Sequence, residues 1–216
     1  EEQKYQFLRE LLSQHHLEIE DENEFLAGII GEISLVKNDR IPLENYYSKN
    51  CSEELFRKFF NGYQEKLQKE RLLDFDDMLV MCYELLSQRP DILAGWQKRF
   101  RYILIDEFQD INQIQYDTIR LLAAPENNLF IVGDDDQSIY RFRGARPEIM
   151  LNFKKDYPEA ETVTLAENYR SVENIIRAAG KVIKNNHARY PKDIHGVREK
   201  GEPIEIHGFV NQGQEN

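Results

Sequence analysis

Cysteine is scarce in this 216-residue chain: Cys51 and Cys82 stand far apart, with no CxxC pair and no histidine at metal-ligand spacing. That excludes a disulfide-stapled fold and a cysteine zinc site, and it fits a reducing compartment such as the cytoplasm. Long apolar runs are missing too, none approaching the ~18 residues of a membrane-spanning helix. The opening stretch EEQKYQFLRE is acidic and amphipathic, where a secretory signal is basic and then apolar. Neither membrane insertion nor secretion is expected. Positive charge is the third shortage: 28 Lys and Arg against 39 Asp and Glu leave a net charge of -11. Taken alone, this argues against a nucleic-acid partner, because phosphate contacts need clustered Lys and Arg. Local patches can override that average. The chain has no internal repeat and no low-complexity segment, and its 41% hydrophobic content suffices for a real core.

Helical spacing dominates the first third. Apolar residues recur as Phe7, Leu8, Leu11, Leu12, then Phe25, Leu26, Ile29, Ile30, Ile33, then Leu55, Phe56, Phe59, Phe60, Tyr63, Leu67. Pro42 and the polar SKNCSEE, 48–54, break the pattern, with Ser52 as N-cap of the third helix. A fourth helix starts at Asp74 and stops before Pro90. Beyond it the pattern changes. YILI (102–105), LFIV (129–132), TVTL (162–165) and IEIHGFV (204–210) are short apolar or β-branched runs between helical segments, the alternation of a parallel sheet. One intervening helix carries Ile114, Ile119, Leu121 and Leu122. Another is expected to run from Ser171 as N-cap through Val172, Ile175, Ile176, Ala179, Val182 and Ile183.

Open parallel sheets bind ligands at the carboxyl ends of their strands. Here the first strand runs into Asp106 and Glu107, an arrangement with the chemistry of a Walker B site: one carboxylate for hydrated Mg²⁺, one to take a proton from an attacking water. The second strand ends in GDDDQSIYRFRGAR, 133–146, where an acidic cluster and Gln137 precede Tyr140, Arg141, Phe142 and Arg143. Interleaved arginine and aromatic residues suit single-stranded nucleic acid, rings stacking on bases and guanidinium groups meeting phosphates. The third strand ends TLAENYRS, 164–171, so Tyr169 and Arg170 lie just ahead of a helix. Each feature has a plainer reading as a solvated loop or an ordinary helix start.

Together, DEFQD (106–110), VGDDDQSIYRFRGA (132–145) and LAENYRS (165–171), in this order, resemble motifs II, III and IV of UvrD/PcrA/Rep-type superfamily 1 DNA helicases. LLDFDDML (72–79) resembles the segment by which those proteins return from an inserted helical subdomain to their first RecA-like domain. The resemblance implies an α/β fold: a partial RecA-like, P-loop NTPase parallel sheet behind an N-terminal all-helical subdomain. It divides the chain into a helical insert (1–70), the second half of the first RecA-like domain (71–160) and the beginning of the second (161–216). By the same resemblance the cofactors are ATP and Mg²⁺. Asp106 holds the metal and Glu107 is the general base; Gln137 senses the γ-phosphate and couples it to DNA. Tyr140, Phe142 and Arg143 contact single-stranded DNA, Phe142 standing where the family often has Trp. Tyr169 stacks on adenine, and Arg170 offers charge to the γ-phosphate as an arginine finger does.

One family feature is missing. A phosphate-cradling GxxxxGK loop followed by Ser or Thr occurs nowhere among the 11 glycines; Gly180-Lys181 is followed by Val182 inside a helix. The expectation is an internal fragment of a longer ATP-driven helicase, acting on single-stranded and duplex DNA in repair or replication. The missing N- and C-terminal segments of its parent chain would be its partners, and the fragment alone would be inactive. Three alternatives stand beside it: a non-catalytic DNA-binding module, a Mg²⁺-dependent phosphohydrolase or nuclease using Asp106, Glu107 and Asp134 to Asp136, and the motor subunit of a helicase-nuclease complex.

Overall fold

Helix α1 (Glu2–Gln14), α2 (Glu22–Asn38) and α3 (Glu53–Glu70) form where the 3.6-residue spacing places them. The starts of α2 and α3 are fixed by side-chain caps: Asp21 accepts from the Glu24 amide at 2.9 Å, and Ser52 from that of Leu55 at 3.3 Å. The apolar stripes of the three helices meet in one core that includes Leu8, Leu26, Ile29, Phe56, Phe59 and Tyr63, each large side chain contributing about 1.5–3 kcal/mol by its burial. Between α2 and α3, the polar break is held by a buried carboxylate. Glu32 accepts from Ser48 Oγ and from the Lys49 amide, both at 2.6 Å. Burial and the adjacent Glu32 charge push the Tyr46 hydroxyl up to about 12.

The chain is described by a computed structural model over residues 2–14, 19–138 and 144–208. It divides into two compact units, Glu1–Met150 and Leu151–Asn216. In the first, α3 ends at Arg71, whose left-handed backbone (φ 56) turns the chain toward α4 (Phe75–Gln88). Asp74 and Asp77 make a reciprocal capping box at the start of α4. Helix α5 (Pro90–Arg99) begins on its proline at the first helical position, so Pro90 opens a helix the sequence reading did not include. Strands β1 (Ile103–Ile105) and β2 (Leu129–Ile131) pair in parallel, with Leu104 opposite Phe130. Helix α6 (Gln113–Ala123), capped by a box between Asn112 and Gln115, connects them and packs on α4 and α5. One face of this pair is bare: Leu104 is 72% and Phe130 60% exposed. Helix α7 (Pro147–Leu151) follows.

The second unit holds α8 (Phe153–Asp156), β3 (Glu167–Asn168), α9 (Glu173–Ile183) and β4 (His195–Gly196), with β3 and β4 also parallel. Three expectations are corrected here. TVTL, 162–165, is not a strand; pairing begins at Glu167, because a strand exists only where a neighbour accepts its ladder, and Val163 and Leu165 stay solvent-exposed. Residues 204–208 of IEIHGFV form no strand, and 209–210 lie outside the described residues. Finally, α9 starts one residue later than expected, with Val172 at the cap position and no side-chain cap, so Ser171 does not cap it. The architecture is mostly helical α/β with two short parallel pairs among the described residues.

Candidate functional site

The backbone ladder continues past both strands of the first unit. The Val132 amide donates to Ile105 O at 2.8 Å, and the Phe108 amide to Val132 O at 2.9 Å. Between those bonds lie Asp106 and Glu107, both exposed, followed by Phe108 and Gln109, both buried. Glu107 has left-handed backbone (φ 50), uncommon for a non-glycine residue. That turn leaves two consecutive carboxylates in solvent while the next two side chains enter the interior. The strand can therefore end on paired charge while the chain just after it turns into the interior.

Asp106 Oδ1 accepts from the Glu107 amide at 2.9 Å. Glu107 Oε2 accepts from Gln109 Nε2 at 2.7 Å, and Gln109 Oε1 accepts from the Asp134 amide at 3.0 Å. Asp134 Oδ2 in turn accepts from Gln137 Nε2 at 2.7 Å. Glu107, at the end of β1, is thus linked by three hydrogen bonds, through Gln109 and Asp134, to Gln137 in the short turn after β2. Gly133 permits the approach: a Cβ there would stand 2.5 Å from Gln109 Oε1 and 3.1 Å from the Phe108 nitrogen. The neighbouring Asp110 has its Oδ1 buried with no hydrogen-bond partner among the described residues. Burial first, and then the Glu107 charge, push its carboxyl above the ordinary carboxylate range.

In the second unit, Asn168 Oδ1 accepts from the amides of Arg170 at 3.0 Å and Ser171 at 2.9 Å, a side-chain-closed turn. It presents Tyr169, 71% exposed, whose hydroxyl donates to Glu167. That hydrogen bond, with a smaller effect of burial, raises the Tyr169 hydroxyl above its usual value. The Arg170 side chain is exposed and its carbonyl accepts from Arg198 Nη1 at 2.7 Å.

Asp106, Glu107 and Gln137 accordingly fall at one strand edge of the first unit, while Tyr169 and Arg170 belong to the second. Tyr140, Phe142 and Arg143 lie outside the described residues. Among the described residues, no group of three or more His, Cys, Asp or Glu stands at metal-binding distance, so the acidic residues 134–136 do not join Asp106 and Glu107 in a metal cluster. A single exposed carboxylate does fit Mg²⁺, which keeps most of its waters and takes substrate phosphates. Sequence reasoning passed over Gln109. Its signal was an amide set one residue after a buried Phe in DEFQD, opposite a glycine.

An α/β protein with paired carboxylates at the carboxyl end of a parallel strand has its chemistry at that strand edge. Residues 1–158 match the family of UvrD/REP helicase N-terminal domains, and 163–216 match UvrD-like helicase C-terminal domains. The chain belongs to the UvrD/REP helicase family. It is 48% identical over 164 residues, 76% of the chain, to the putative ATP-dependent DNA helicase YjcD of Bacillus subtilis. To the ATP-dependent DNA helicases PcrA of Leuconostoc citreum and Staphylococcus aureus it is 43% and 40% identical, over 82% and 86% of the chain. The chain spans only 21%, 24% and 26% of the lengths of these three relatives.

Proposed function

We propose that this chain is an internal part of an ATP-dependent DNA helicase, a motor that hydrolyses ATP to translocate on single-stranded DNA and unwind duplex, serving repair or replication in the cytoplasm. The observation that carries the reading is the hydrogen-bonded path from Glu107 to Gln137 across the ends of two parallel strands. It joins a candidate base to a candidate γ-phosphate sensor, and the segment after Gln137 carries Tyr140, Phe142 and Arg143. In this reading residues 1–70 are a helical insert, 71–160 half of a RecA-like domain and 161–216 the start of another. The bare face at Leu104 and Phe130 supports an incomplete sheet.

The roles follow from the chemistry at each position. Glu107 accepts the proton of the attacking water, its carboxylate held by Gln109. Asp106 is the residue that would hold Mg²⁺, which when bound supplies charge neutralisation at the phosphates. Gln137 is the residue that would sense the γ-phosphate. Tyr169, exposed and braced by Glu167, stacks on adenine, and Arg170 offers charge to the γ-phosphate. Tyr140, Phe142 and Arg143 engage single-stranded DNA by stacking and phosphate contact. Among the described residues no helix is long and apolar enough to cross a membrane.

The test is ATP hydrolysis by the full-length protein carrying this chain, with and without single-stranded DNA. DNA-stimulated turnover is expected. DNA binding without turnover would make it a binding module, and metal-dependent DNA cleavage without ATP a nuclease.

A further inference from the structure

Gln109 is 1% exposed, a buried primary amide just past the end of β1. Its orientation is set by its neighbours. The Asp134 amide can only donate, so Gln109 Oε1 must face it, and Nε2 is left to donate to Glu107. An ionised carboxylate can only accept, so the two partners need opposite ends of one group. Among side chains of this length, glutamine alone supplies a donor and an acceptor on a planar fork.

Three further features bear on this amide and the carboxylate it holds. Gly133 leaves the room that any Cβ would fill, 2.5 Å from Oε1. Ser138 Oγ donates to the backbone carbonyl of Gln109 at 3.4 Å, holding the main chain that carries the amide. Glu107 itself is exposed, and an exposed glutamate left alone samples many rotamers. A base must be held near its reactive geometry, since a misplacement of ~1 Å can cost ~100-fold in rate.

We propose that Gln109 is a positioning residue for phosphoryl transfer, fixing the Glu107 carboxylate to the end of β2 and, through Asp134, to Gln137. The proposal rests on the reading of Glu107 as the base. Its consequence is mechanical: a shift of the segment after β2 moves the Asp134 amide, and the amide of Gln109 transmits that shift to Glu107. Phosphate-sensing and proton-accepting groups then move as one unit.

Two substitutions separate the two arms. Gln109→Leu removes both bonds at similar volume. Gln109→Glu keeps an acceptor for the Asp134 amide but, assayed at a pH where that buried carboxyl is ionised, loses the donor to Glu107. In the full-length protein, with saturating single-stranded DNA, both variants are expected to lower kcat by about tenfold or more while KM for ATP changes by less than about twofold. Amide exchange gives the second readout. In Gln109→Leu the Asp134 amide should exchange faster while Val132, bonded to Ile105, keeps its protection; in Gln109→Glu both should stay protected.

Loss of turnover in Gln109→Glu with the Asp134 amide still protected would establish the arm to Glu107, because a purely structural role would leave that variant active. Wild-type kcat in both variants, beside an inactive Glu107→Gln, would overturn the proposal and leave the base assignment standing. An unchanged kcat with raised KM would overturn it as well. Full turnover in Glu107→Gln would overturn the base assignment first, and the role of Gln109 with it.

Discussion

Lys37 of α2 and Asp74, the cap of α4, meet at 2.8 Å with side chains only 4% and 5% exposed. The same Asp74 oxygen accepts from the Tyr63 hydroxyl at 2.9 Å, and Lys37 also reaches Asp77 at 2.7 Å. Asn38 donates to Asp76 at 2.8 Å. The acidic run of LLDFDDML is thus tied by buried charge to the three-helix core.

Breaking that pair leaves a buried ammonium short of one carboxylate. Asp74→Ala is expected to destabilise the first unit by about 3 kcal/mol, read from urea or thermal denaturation. A fall below ~0.5 kcal/mol would mean that Asp77 alone suffices for Lys37.

The pair also sets an acid limit. Burial alone would raise the Asp74 carboxyl, but the Lys37 hydrogen bond, the Asp77 amide and the charges of Lys37 and Lys4 outweigh it and hold the carboxyl below its ordinary range. A depressed carboxyl stabilises the fold fully above its unfolded value of about 4, and that stability is lost as pH falls through the lower folded value. Urea midpoints taken from pH 6 to 2 should fall steeply below about pH 4. In Asp74→Asn the slope should be shallower.

Glu107→Gln in the full-length protein should lower DNA-stimulated phosphate release about 100-fold or more while ATP binding persists. The 216-residue chain by itself, carrying no GxxxxGK loop, should release no phosphate above background.

Gly133→Ala places a methyl 3.1 Å from the Phe108 nitrogen as well as 2.5 Å from Gln109 Oε1. Backbone cannot yield as a side chain can, so a loss of about 1–3 kcal/mol is expected, together with reduced turnover. A neutral melting temperature with normal kcat would show that the strand end relaxes.

If Tyr169 stacks on adenine as proposed, Tyr169→Ala in the full-length protein should raise KM for ATP by about three- to tenfold, the worth of one lost ring stack, with a smaller effect on kcat. Arg170→Ala, on the proposed role at the γ-phosphate, should do the reverse, lowering kcat more than it raises KM, since such a charge counts most as the phosphate transfers.

Much of this was legible in the residues, and the exceptions have physical causes. Local signals worked where one segment decides its own state: the stripes of α1 to α3, the cap at Ser52 and the start of α4 at Asp74 all form as their spacing requires. The ends of β1 and β2, with Asp106, Glu107 and Gln137, were readable because an apolar run that stops on charge is a local event. TVTL misled because β-branched residues show a tendency, while a strand also needs a partner at the right register. Helix α5 was hidden because Pro reads as a stop unless the residue before it is also weighed. Gln109 was missed since its partners, Glu107 and Asp134, are 27 positions apart at the extremes and meet only once β1 and β2 are aligned.

The bare face over Leu104 and Phe130 bears on how this polypeptide behaves in isolation. Both strands are short, apolar and, among the described residues, each paired on one side only, so each offers unmet backbone donors and acceptors beside greasy side chains. Such an edge recruits further strands from whatever chain is nearby. A truncated product ending in this region would be a seed for aggregation and a substrate for chaperones and proteases, and preparing it in soluble form calls for low concentration or a covering partner.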